Sequence, residues 1–287
     1  MMKRKTRSFK RVLLIVCEGT ATEPQYLGWL KDNISIPNEI WGNIEIFDDK
    51  TMPNDIPIAK IPELGKKRPK RQFQNPNKRD KAIEINALEE ILLILRGEEK
   101  GLKEYEEVKA HPLRFVALAQ YHDELSKGTY DELWAIFDKD GHPKHQEAFA
   151  LAQQPTNGKI VNIAFSSRSF EQWILLHFEQ SNRVFQQTTC KDEKKKVIDC
   201  SQNQGCEGEI CLVGYLKTNY LPNYAKSSKF EDLDEMMQQL KKKQEIAFQN
   251  AASLRKEKQE ELIKNGNKVY ELNPYTDVDI LVKRLIE

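Results

Sequence analysis

The sequence has no apolar run near the roughly 18 residues that a membrane-crossing helix needs, so no membrane span is expected. It has no P-loop and no G-x-G-x-x-G. If ATP governs this chain, another chain must therefore supply the nucleotide site. It also has almost no net charge, with 45 Lys and Arg against 44 Asp and Glu in 287 residues, so overall charge points to no class of partner. Cysteine is scarce too. Five cysteines, one of them inside an apolar run, do not make a disulfide framework in a chain of this length, and a reducing cytoplasm is the expected setting. The first residues, MMKRKTRSFKR, are basic, but the apolar run behind them is six residues long and stops on a glutamate, too short for a signal-peptide core.

What the chain does have is a strand–turn–helix unit from Arg11 to Lys31. Val12 to Cys17 is β-rich and apolar, as a buried strand requires. It ends on Glu18-Gly19. Thr22 then offers an N-cap, with Pro24 in the first turn and Gln25 at the third helical position, which predicts a helix from there. Further strands are expected at Asn43–Phe47, Leu133–Phe137 and Ile160–Phe165, and helices at Ala82–Arg96, Pro112–Leu125, Gln146–Gln154 and Phe170–Glu179. The inner face of the last should hold Phe170, Trp173, Ile174 and His177. Asp232 to Lys264 reads as one long helix packing through Leu233, Met236, Leu240, Ala247, Ala251 and Leu254, and Val278 to Ile286 as a closing amphipathic helix after the break at Asn273-Pro274. Strands alternating with helices imply an α/β fold, a Rossmann-like, mostly parallel sheet flanked by helices. Residues 1–190 would form the α/β domain, with a basic and helical insertion at about 50–129, and residues 191–287 a mainly helical region packed on the same core.

Two of these strands deliver acids at their carboxyl ends: Glu18 from the first, and Asp138 and Asp140 from the Leu133–Phe137 strand. In a parallel sheet those ends share one edge, where open α/β sheets place their ligands. Clustered carboxylates repel unless protons or cations neutralise them, and magnesium, with its preference for oxygen, is the simplest cation. Such a centre suits phosphodiester chemistry. Lys66 to Lys81 holds eight Lys or Arg, among them Lys66, Lys67, Arg68, Lys70 and Arg71, and reads either as a nucleic-acid-binding arm or as a basic loop. Cys190, Cys200, Cys206 and Cys211 are separated by nine, five and four residues, with no C-x-x-C pair, so the spacing leaves a zinc site open. Ser166 and Ser167 are expected to cap the helix that follows them.

The strand–Glu-Gly–helix and strand–D-x-D pair resembles the Toprim domain of topoisomerases, primases and several nucleases. More closely, IVCEGTATEPQYL, LWAIFDKDGH, FSSRSFEQWILLHFE, YLPNYAKSS and NPYTDVDILVKRL resemble, in this order, the blocks of the RloB-like family. Ser166-Ser167-Arg168-Ser169 departs from the Ser-Asn-Pro usual there, whereas Phe170-Glu171-x-Trp173 fits. The resemblance implies a Toprim-type nuclease of DNA or RNA in antiviral defence, using Mg2+ (or Mn2+) and acting with an ABC-class ATPase encoded nearby that resembles the overcoming-lysogenisation-defect nucleases. On this basis Glu18 is the first metal ligand and the proton-transfer group, and Asp138 and Asp140 bind the metal. Glu23 holds a second metal or simply favours the helix N-terminus. Glu171 reaches the same edge or is an ordinary first-turn acid, and Lys226 stabilises the transition state. His142 is either a phosphate contact or an exposed loop residue. The competing expectation is a non-catalytic, Toprim-like binding subunit of an ATPase complex.

Overall fold

A computed structural model describes residues 11–19, 21–33, 41–47, 112–139, 145–192, 194, 196–200, 206, 208–224, 226 and 233–286. Strands β1 (Arg11–Cys17), β2 (Trp41–Phe47), β3 (Glu132–Asp138), β4 (Val161–Ser167) and β5 (Tyr275–Thr276) form a sheet in the order β2-β1-β3-β4-β5. The first four are parallel, and β5 runs antiparallel to β4. The chain passes from β1 through α1 (Thr22–Asn33) to β2 on one side, then returns to place β3 on the other side of β1. The switch point of this α/β sheet therefore lies between the carboxyl ends of β1 and β3.

The core is divided by the sheet, as alternating strand side chains require. Leu14, Val16, Leu133, Ala135, Phe137 and Phe165 face α2 (Pro112–Leu125) and α3 (His145–Ala152). Leu13, Ile15, Cys17, Ile136 and Ala164 face the other layer. That layer comprises α1, α4 (Glu171–Leu176), α5 (Leu212–Asn219), α6 (Leu233–Lys242), α7 (Gln244–Glu257) and α9 (Val278–Ile286). A short α8 (Gln259–Lys264) has no buried residue. The central strands are covered on both faces, which is why their sequences read as continuous apolar runs.

Several expectations need adjustment. Helix α1 already includes Thr22, with Gln25 N–H bonded to the Ala21 carbonyl, so Thr22 is not the N-cap. Its hydroxyl instead donates to the Lys226 carbonyl at 3.3 Å. Ser166 and Ser167 belong to β4, where the Ser166 hydroxyl meets that of Thr276, so they do not cap a helix. Helix α4 ends at Leu176, although Phe170, Trp173, Ile174 and His177 are all buried as expected. The stretch expected as one helix is, from Leu233 to Lys264, three helices with breaks at Lys243 and Lys258, and Met237 rather than Met236 is its fully buried methionine. Helix α2, read as part of an insertion, forms one of the covering layers of the sheet through Leu113, Phe115, Val116 and Leu118. The helix at Ala82–Arg96 and the basic stretch Lys66–Lys81 lie outside the described residues.

Candidate acidic site at the strand ends

The site begins where β1 stops. Beyond Cys17 the backbone of Glu18 is still tied to the sheet, its N–H donating to the Ile136 carbonyl at 2.9 Å. Its side chain crosses to the neighbouring strand, where Oε2 accepts the Asp138 backbone N–H at 2.8 Å. The two acids are thus locked together across the switch point, although 120 residues separate them. A Cβ on Gly19 would lie 2.1 Å from Glu23 Oε2, so a side chain there would push the Glu23 carboxylate out of its place. Glu23, in the first turn of α1, is 5% exposed and so is held inside the site.

From β3 comes Asp138, buried at the strand end. Its carbonyl accepts a hydrogen bond from His145 Nε2 at 2.9 Å, which fixes the Nε2–H tautomer, since a carbonyl can only accept. The adjacent Lys139 turns away from the acids and donates to the Glu271 and Leu272 carbonyls at 2.8 and 3.1 Å. Burial, and next the Arg168 charge, lower its pKa. Asp140 and His142 lie outside the described residues.

Helix α4 contributes its first residue, Glu171, which is fully buried. Ser169 Oγ donates to its Oε2 at 2.7 Å and Tyr224 OH to its Oε1 at 2.8 Å. Lys226 Nζ stands 3.5 Å from Glu171 Oε2 and 3.9 Å from Asp138 Oδ2, so one ammonium bridges acids from two strand ends. Burial, followed by the negative charge of Glu171, pushes the Tyr224 phenol far above its ordinary range, with Glu23 adding to the effect. Tyr224 therefore remains a neutral donor. Glu18, Glu23, Asp138, Glu171 and Lys226 are all at this edge, and the four carboxylates, three buried and Glu18 part-buried, have the chemistry of a hard divalent cation's ligands. Tyr224, Ser169, Thr22 and His145 are the supporting residues that sequence reasoning missed. Thr22, Ser169 and Tyr224 carried a signal, through their places in the blocks of the family resemblance.

Fold and site together define an α/β protein with an acidic cluster at the switch point of a mostly parallel sheet. The family model for the RloB-like protein matches residues 13–285, nearly the whole chain, and the chain belongs to that family. Comparison with curated proteins and with solved structures yielded no match. Among the described residues no helix is long and apolar enough to cross a membrane.

Proposed function

We propose that this edge is the metal centre of a Toprim-type nuclease that hydrolyses phosphodiester bonds of DNA or RNA in antiviral defence, together with an ABC-class ATPase. The observation that carries this reading is the lock between Glu18 and Asp138, which brings acids from two parallel strands to one point beside Glu171 and Lys226. Glu18, Glu23, Asp138 and Asp140 would hold Mg2+ (or Mn2+), with Glu171 beside them. The bound ion would supply Lewis-acid stabilisation of the phosphate and a more acidic water. The protein's own contribution is positioning. The Asp138 N–H fixes the Glu18 carboxylate, the group assigned to proton transfer, and Tyr224 and Ser169 fix Glu171 as the anchor of Lys226. Lys226, half-exposed beside otherwise buried acids, is placed to face the charge that develops on a phosphoryl group.

The test is cleavage of plasmid DNA and of structured RNA by the chain purified with its neighbouring ATPase, with and without Mg2+ or Mn2+. Glu18→Gln and Asp138→Asn should abolish metal-dependent cleavage while retaining the wild-type circular dichroism spectrum. Lys226→Ala should slow it by about 10²-fold, the usual effect of removing one transition-state contact. Full activity in both carboxylate variants would show that the metal site is misassigned. Magnesium binding without turnover, with the assembled system unaffected by Asp138→Asn, would favour the non-catalytic subunit instead; that reading draws on the Lys226 bridge, which partly neutralises the acids.

A further inference from the structure

Among the described residues, the segment that follows Phe185 contains little regular structure, being held by isolated bridges such as Gln187 with Cys211 and Lys191 with Val197. Within it the Sγ atoms of Cys190, Cys200, Cys206 and Cys211 all lie within 4.8 Å of one another. Cys190 to Cys211 and Cys211 to Cys200 are each 3.5 Å. These distances are far beyond the roughly 2.05 Å of a disulfide, and none of the four sulfurs is disulfide-bonded. They are close to what a tetrahedral ion requires: with Zn–S bonds of about 2.3 Å, sulfurs at tetrahedral angles stand about 3.8 Å apart.

We propose that Cys190, Cys200, Cys206 and Cys211 form a closed, four-thiolate structural zinc site, separate from the acidic edge. Three further observations point to a ligand at this position. Backbone donors are aimed at sulfur, as thiolates prefer: Gly208 N–H lies 3.2 Å from Cys200 Sγ. Cys211 occupies the N-cap position of α5, where the partial positive charge of the helix favours an anionic sulfur. Gly214, one turn into that helix, leaves the room the cluster needs, since a Cβ there would lie 2.4 Å from Cys200 Sγ and 2.5 Å from Cys211 Sγ. Three of the four cysteines are buried, and together they form a small satellite core with Ile198 and Ile210. A closed set of four sulfurs with no open position is the structural type of zinc site rather than the catalytic type.

The site would act as a staple. It ties a loop poor in secondary structure to the start of α5, whose first two amides donate to the Gln187 and Thr188 carbonyls at 3.1 and 2.9 Å. Helix α5 in turn leads directly into Tyr224 and Lys226 of the acidic edge. The proposal does not depend on the activity assigned to that edge.

The experiment is elemental analysis of the full-length protein, purified under reducing conditions without chelators, followed by exchange into Co2+. About one zinc per chain is expected. It should fall to near none in Cys190→Ser and Cys211→Ser and stay unchanged in Asp138→Asn. Because the cysteine variants could unfold, the cobalt form of the wild type is the second measurement; it should show sulfur-to-cobalt charge-transfer bands and the intense visible bands of tetrahedral thiolate coordination. Absence of metal, iron in place of zinc, a cobalt spectrum without sulfur bands, or zinc lost with Asp138→Asn would each overturn the assignment.

Discussion

Two desolvated titratable groups outside the acidic edge pull stability in opposite directions with pH. His177 lies inside the layer of α1 and α4, its Nδ1–H donating to the Trp173 carbonyl at 3.0 Å, and burial lowers its pKa to about 4. Asp277, just before α9, accepts the Phe165 N–H at 2.5 Å. The residue is partly exposed, but its carboxyl is desolvated, and burial raises its pKa to about 7 against the opposing hydrogen bond from Phe165. Between pH 4 and 6.5 the unfolded chain holds a proton on His177 that the native state lacks, so this residue makes stability rise with pH. Between pH 3.8 and 7 the native state holds a proton on Asp277 that the unfolded chain has released, so that residue makes stability fall with pH. Each contributes a slope of about 1.4 kcal/mol per pH unit, and over the shared window the two nearly cancel. Chemical denaturation of single variants at several pH values should separate them. Relative to wild type, Asp277→Asn, which keeps an acceptor for Phe165, should gain stability as pH rises from 4 to 7. His177→Gln should lose it from 4 to 6.5. Parallel profiles for wild type and both variants would refute this assignment of the two shifts.

At the scale of elements, the joint between α7, β5 and α9 rests on one guanidinium. Arg255 forks onto both oxygens of Asp279, the Nη2–Oδ2 bond being 2.8 Å, and also donates to the Thr276 carbonyl at 3.1 Å. Asp279 is 1% exposed, so removing its partner would strand a buried charge. Arg255→Met should therefore destabilise by about 3–5 kcal/mol, and Arg255→Met combined with Asp279→Leu should recover much of that loss. A denaturation series in which the double variant is no better than the single would mean that packing of the Arg stem, not charge, dominates. Legibility in the sequence followed the range of the forces involved. Strands β1 to β4 were readable as short apolar-rich runs and helices α2 and α9 from their apolar spacing, and α2 and α9 were located at their observed ends. The breaks at Lys243 and Lys258 were not, because neither glycine nor proline marks them. Two-residue β5 is too short to show a period at all. At the site, Glu18 and Asp138 were legible from strand-end logic, whereas Lys226 came only from the family resemblance, since a lysine in a loop carries no local signal. The four-cysteine cluster was ambiguous because its closeness is tertiary and its spacing is unpaired.

For the molecule as a whole, the C-terminal helices complete the same core rather than attach to it. One apolar cluster joins Leu13 and Ile15 of β1 to Leu216 of α5, Leu240 of α6, Ala251 and Leu254 of α7, and Leu281 and Val282 of α9. The acidic edge is shared in the same way, since Glu18 and Asp138 precede residue 190 while Tyr224 and Lys226 follow it. Long-range ties reinforce this: Trp29 Nε1 donates to Asp234 at 2.8 Å, and Arg284 forks onto Glu132 of β3. A chain cut after residue 190 would strip the cluster that holds Leu13, Ile15, Trp134 and Ile136 of all its residues from α5, α6, α7 and α9. Exposed apolar patches much beyond a few hundred Å² drive association, so the fragment 1–190 should aggregate or show no cooperative transition. The full chain should unfold in one step in urea, with far-ultraviolet circular dichroism and tryptophan fluorescence giving coincident midpoints. Those tryptophans report on the layer that the C-terminal helices complete, because Trp29, Trp134 and Trp173 all belong to the joined cluster and Trp173 stacks on Phe248 of α7. Two separated transitions, or a soluble and cooperatively folding fragment, would show that the α/β portion stands alone and that the helices supply only the lysine and tyrosine of the site.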